Sequence, residues 1–222
     1  MNSLLKPTTR IFRPRGFTLI ELLVVMAIII ILAALTIPSI GPLMRSTNLS
    51  RASSMISDEL TFARQSALTH NADVQVRFYQ TGSGSNSSDL QFRAFRCFLA
   101  NATNPGQAVA LDTISYLPGQ VIASAKLDPA NSPTTFSPVL DYTNHSTTLG
   151  TGTDTLPSGT SATYVSFLFR ATGGTSLVPV TSLWYLTLYT ETDPINTGTQ
   201  IPNNYVTLQI DPVTAMVRTY RP

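Results

Sequence analysis

Cysteine is almost missing from this 222-residue chain. Cys97 stands alone, so no intrachain disulfide can form, even in an oxidising compartment. Flanked by Phe95 and Phe98, it reads as a small buried hydrophobe rather than a nucleophile. Histidine is nearly as scarce. His70 closes a helical pattern and His145 lies in a polar loop, and neither has the surroundings of a Ser-His-Asp or Cys-His arrangement, which argues against an enzyme. No Walker, dinucleotide or zinc-finger spacing occurs. Glu191 and Asp193 share a polar turn but have neither EF-hand spacing nor a third carboxylate nearby, so no metal and no cofactor is expected.

Acidic residues are absent ahead of the longest apolar run, and that absence is informative. Lys6, Arg10, Arg13 and Arg15 precede fourteen consecutive apolar residues at 22–35. Residues 17–37, as a helix, would extend roughly 31 Å, close to the ~30 Å hydrocarbon layer of a bilayer. The run leads into Thr36, Ile37 and Pro38 rather than a small-residue cleavage site, so a conventional secretory signal fits poorly. Basic flanks keep the N-terminus cytoplasmic and send the remainder outward. Glu21 interrupts the start of this segment, and an ionisable group there is a functional hypothesis by default. The alternative is a carboxylate that snorkels to the interface and gains weakly from the helix dipole.

About 150 residues remain for one exported globular domain, enough to bury a core. The net charge of +2 belongs to the N-terminal segment. Residues 1–16 carry four of the 14 Lys and Arg and no acidic residue, leaving ten cations against 12 carboxylates, a formal −2. A general affinity for nucleic acid is therefore not expected.

Leu49, Ala52, Ile56, Leu60, Ala63 and Ala67 step by three or four, which predicts an amphipathic helix over 48–70 ending at Asn71. Pro38, Gly41 and Pro42 should bend or locally melt the path into it. Strands then follow. Alternation at 74–79 and the apolar-rich 90–99 predict a hairpin around a loop at 81–89; 163–170 and 183–190 are strong candidates, 119–124 and 139–142 weaker. Residues 204–210 and 215–220 flank Asp211-Pro212-Val213-Thr214, a closing turn. Polar stretches at 101–106, 128–138 and 143–160 read as surface loops.

The heptapeptide Arg15-Gly16-Phe17-Thr18-Leu19-Ile20-Glu21 resembles the prepilin signal of type IV pilins and type II secretion pseudopilins. The resemblance implies cleavage after Gly16 by a prepilin peptidase, N-methylation of Phe17, and a role for Glu21 in subunit assembly, where it meets the amine of a neighbouring subunit. A carboxylate and an ammonium that leave water together are tolerable as a pair. Through DELTFARQSALTHNADVQVRF, YVSFLFRATGG and VTLQIDPVTAMVRTYRP, the body resembles the H-type pseudopilin and FimT-like branch. Through NLSRASSMISDEL, FRAFRCF and YLPGQVIAS it is similar to the group called Verru_Chthon cassette protein D. Relatives often have glycine in the last hairpin where this chain has Ala215, a departure that leaves the register there open.

The expected fold is α+β, a pilin-like long N-terminal membrane-spanning α-helix packed on a C-terminal antiparallel two-sheet β-domain. The expected division is a leader at 1–16, a transmembrane helix half at 17–37, an amphipathic half at 38–71 and an exported β-rich domain at 72–222. The expected function is that of a minor pilin or pseudopilin, a filament subunit of a type II secretion or type IV pilus-like system. It would sit in a bacterial inner membrane with its C-terminal domain periplasmic. The resemblance implies as partners the prepilin peptidase, other pilin-like subunits, and the assembly ATPase with its inner-membrane platform protein. The alternative is an envelope binding module, anchored in the inner membrane and never built into a filament.

Overall fold

The computed structural model describes residues 16–83, 86–100, 108–124, 136–178, 183–193 and 202–221. The chain divides into two compact units, Met1–Leu43 and Met44–Pro222. Helix α1, Leu19–His70, contributes to both.

In the Met1–Leu43 unit, α1 starts where Thr18 caps it. The Glu21 amide, an otherwise orphaned donor of the first turn, donates to Thr18 Oγ1 at 3.3 Å, and the Leu22 amide makes the first regular helical bond to Thr18 O at 3.2 Å. Apolar side chains from Leu19 to Leu32 are exposed all around. Helical hydrogen bonding continues through Pro38, Gly41 and Pro42, so the expected melting is corrected: the few donors that proline removes do not break the ladder.

In the Met44–Pro222 unit, the rest of α1 buries one stripe. Leu49, Ala52, Ile56, Leu60, Ala63 and Ala67 are all fully buried, as their spacing predicts. Asn71 ends the helix in the left-handed region, φ 48°. Among the described residues eleven strands follow: β1 (Val74–Ser83), β2 (Asn86–Leu99), β3 (Val109–Ala110), β4 (Ser115–Tyr116), β5 (Val121–Ser124), β6 (Phe136–Pro138), β7 (Gly150–Thr155), β8 (Ser161–Phe169), β9 (Leu183–Thr190), β10 (Tyr205–Ile210) and β11 (Val217–Tyr220). Their order is β11-β10-β9-β5-β2-β1-β8-β7, with β3 and β4 beside β2 and β6 parallel to β9. Val76, Phe95, Phe167, Leu186 and Leu208 join the α1 stripe in one core. On the opposite face Tyr79, Ala94, Phe98, Leu156 and Ala162 form a smaller cluster.

The expected fold class is corrected in two respects. In place of two sheets there is one, of 11 strands, because β5 bridges its halves: it pairs with β9 along its length and with β2 through Phe92↔Ala123. In addition, among the described residues no helix is long and apolar enough to cross a membrane. Phe17 and Thr18 stand outside the helix and Glu21 occupies its first turn.

Smaller expectations fare variously. The first hairpin forms, but its strands run on into the expected 81–89 loop, leaving only 84–85 between them. The 101–106 loop and most of 128–138 lie outside the described residues. Residues 139–142 form turns, although Val139 and Leu140 are buried. Within the expected 143–160 loop, β7 pairs with β8 along six residues.

Candidate functional site

The sequence points to the amino-terminal segment, and its geometry is simple. Gly16, Phe17 and Thr18 precede the helix in non-helical conformation and are exposed. A side chain at Gly16 would meet no other atom within 4 Å. The Gly16–Phe17 peptide is thus an exposed bond just outside a regular element, the setting in which proteolysis is favoured. Arg15 and the residues before it lie outside the described residues.

Glu21 lies in the first turn of α1, exposed, three residues after the cap. Thr18-Leu19-Ile20-Glu21 has the Thr-x-x-Glu spacing of a capping box, and its cap-to-amide bond is formed. Glu21 is therefore a favourable residue for a helix start, where a partial positive charge gathers. Thr18 is a functional residue beyond the expected set, and the Thr-x-x-Glu spacing is the signal in the sequence that marks it. A free amine at Phe17 would add a full positive charge to the same helix end, which increases the demand for an anion there.

The other candidate groups singled out by the sequence lie inside the Met44–Pro222 unit. Glu191 pairs with Arg93 at 2.8 Å and Asp193 with Arg45 at 3.1 Å, so each carboxylate of that turn already has a cation. His70 Nδ1 lies 2.9 Å from Ser66 O, and His145 Nδ1 lies 3.1 Å from Asp141 O, its ring edge-on to Trp184. Cys97 is fully buried and its thiol is pushed up, by desolvation first and then by the neighbouring carboxyl of Glu59. Glu59 itself is raised to about 7, mainly by burial and then by its hydrogen bond with Asp112. Asp112 Oδ1 also accepts the Cys97 amide at 3.1 Å.

Across the sheet from α1, Arg77 lies between two rings, 4.1 Å from the centroid of Phe98 and 4.5 Å from that of Tyr164. Its Nη1 donates to Asp154 Oδ2 at 2.7 Å and its Nε to Gln75 Oε1 at 2.9 Å. The Tyr79 hydroxyl donates to the same Asp154 oxygen at 2.7 Å, and burial followed by this bond pushes the phenol up. This network ties β7 to β1. A cleft of about 580 Å³ opens near the end of α1, lined in part by Asp73, Gln75, Thr148, Gly150 and Ser166. It brings together none of Gly16, Phe17 and Glu21.

Residues 11–37 match the model of the prokaryotic N-terminal methylation motif. No curated protein and no solved structure matches the chain. The match covers Gly16, Phe17 and Glu21 and supports a type IV pilin-like prepilin signal. It implies processing by a prepilin peptidase and pilin-like assembly, and it suggests a membrane-anchored or filament protein.

Proposed function

We propose that this chain is a minor pilin or pseudopilin, a non-enzymatic subunit of a type II secretion or type IV pilus-like filament of the H-type or FimT-like kind. The observation that supports it most is the conjunction at the start of α1. An exposed Gly16–Phe17 bond, a capped helix start and Glu21 stand directly before an apolar surface exposed on every side. A helix apolar all round needs a non-aqueous environment. Lipid supplies it before assembly, and neighbouring subunits supply it afterwards. On this reading the chain is held at a bacterial inner membrane before assembly, with the sheet unit presented to the periplasm.

Assembly then has a defined electrostatic step. Cleavage exposes a Phe17 ammonium at the positive end of α1, and the Glu21 carboxylate of an adjacent subunit neutralises it as both leave water. The assembly ATPase and inner-membrane platform protein are the machinery this step requires.

Processing is tested on the membrane fraction of cells with an active prepilin peptidase. Mass spectrometry of the N-terminal peptide should find N-methylated Phe17, and Gly16→Val should leave the uncleaved precursor. An unprocessed N-terminus in the wild-type protein would overturn the assignment.

A further inference from the structure

The sheet of the Met44–Pro222 unit has two outer strands, β11 at one side and β7 at the other. Among the described residues, no backbone hydrogen bond reaches the outward side of either. Open edges of this kind are templates for strand addition, which proteins usually blunt with lysine, proline or a bulge. Neither GTGTDT nor VRTY contains proline, both pair with their inner neighbours without a register shift, and the one charge on each, Asp154 on β7 and Arg218 on the short β11, is of opposite sign, which guards each edge against its own kind but not against the other.

We propose that these edges are complementary halves of one interface between copies of this chain. In it, β11 of one copy adds antiparallel to β7 of the next, with Arg218 opposite Asp154, Thr219 opposite Thr153 and Tyr220 opposite Gly152. The inference goes beyond the filament reading and stands on the sheet unit alone.

Strand direction fits. The eight strands of the path alternate in direction, so the first and last run oppositely. A second copy displaced across the sheet therefore meets β7 with an antiparallel β11, and both helix-bearing faces lie on the same side. Face also fits. Gly152 pairs with Tyr164 and Asp154 with Ala162, on the face away from α1. Arg218 pairs with Gln209 and Tyr220 with Thr207; Leu208, between them, faces the helix core, so Arg218 and Tyr220 point away from it. One register satisfies both contacts, because descending from 154 to 152 matches ascending from 218 to 220.

The side-chain chemistry is complementary in that register. Asp154 spends Oδ2 on Arg77 and Tyr79, and its side chain remains 27% exposed, so Oδ1 can take a second cation. Arg218 is exposed, with Asp211 as a carboxylate neighbour on its own copy. At Gly152 the missing side chain lets the Tyr164 hydroxyl approach within 2.5 Å of where a Cβ would stand. That brings an aromatic ring to the sheet edge for the half-exposed Tyr220 to meet, and such cross-strand pairs are the unit of sheet stabilisation. Arg221 stays clear. It points to the helix face and donates to Ser50 Oγ at 2.8 Å and Ser46 Oγ at 2.9 Å. An interface of unlike edges does not close by two-fold pairing, so it propagates into a row of subunits.

Cysteine cross-linking of the full chain in its native membranes tests this. Thr153→Cys with Thr219→Cys should give, after mild oxidation, a ladder of disulfide-linked dimers, trimers and larger species on non-reducing gels. Each single variant should give dimers at most, since native Cys97 is fully buried. Co-expressed copies that each carry one of the two cysteines should form the mixed dimer. Thr151→Cys with Thr219→Cys, two residues out of register, should link less. Arg218→Glu, an exposed change, should lower the ladder by about two- to five-fold, the effect of one cross-strand pair. Equal linking in both registers, or a double variant that links no more than the singles, would overturn the proposal.

Discussion

Glu59 shows at the scale of one residue what a linear pattern conceals. It sits between Ile56 and Leu60 on the stripe of α1, and the sequence does not reveal that β2 and the segment after β3 bring Cys97 and Asp112 against it. Burial first, and then the hydrogen bond with the Asp112 carboxyl, favour the protonated form, so the folded-state value is raised from 4.5 to about 7. The sign follows from linkage. A carboxyl held above its unfolded value contributes stability that is complete below about pH 4.5 and lost as pH rises through about 7. Glu59→Gln keeps a donor toward Asp112 without titrating. Thermal unfolding should therefore show the variant closest to the wild type near pH 4 and more stable than it near pH 8. Parallel curves at both pH values would remove Glu59 as the titrating group. By contrast the prepilin-type signal was legible, because a contiguous motif needs no tertiary contact. Thr18 was missed although its spacing to Glu21 was in plain view.

At the scale of elements, what the sequence disclosed depended on apolar periodicity. The buried stripe of α1 and the strands at 183–190 and 205–210 have it. β7 does not: its Gly and Thr residues carry no apolar alternation, and it is a strand because β8 pairs with it and Arg77 holds Asp154. The closing hairpin forms with alanine at its bend. Ala215 adopts φ 56° and is buried, while Asp211 Oδ1 accepts the amides of Val213 and Thr214. Those bonds, Thr214 foremost, also hold the Asp211 carboxyl below its ordinary range. The Pro118-Gly119 turn is a second element whose role emerges only in three dimensions. Gly119 has φ 61°, and a Cβ there would stand 2.6 Å from Asn48 Nδ2 on α1. Gly119→Ala should lower stability by about 1–2 kcal/mol, the cost of a left-handed alanine. Adding Asn48→Ala should relieve the side-chain clash but not the backbone strain, so recovery should be partial; denaturant unfolding of Gly119→Ala, Asn48→Ala and the double variant checks both statements.

For the whole molecule, the class of structure was misjudged where the decision rested on single contacts. Strand candidates along a chain cannot say whether they form one sheet or two, and here β5, tied to β2 through Phe92↔Ala123, makes them one. Nor did the length of the apolar run decide the membrane question, because the helix starts at Leu19 behind its cap and holds Glu21 in its first turn. What unites the molecule functionally is the proposal that an apolar, capped, acid-bearing helix start is an assembly device. Glu21 has two roles available, and they separate by substitution. As a capping-box residue it tolerates Gln. As the partner of a buried ammonium it does not, because Gln leaves that charge unpaired. The decisive measurement is the amount of Glu21→Gln protein, relative to wild type, in purified filaments or secretion complexes from cells where both are cleaved and N-methylated equally. The account predicts a loss of at least about ten-fold, in line with the several kcal/mol left by an uncompensated buried charge. Wild-type abundance of the variant would contradict it.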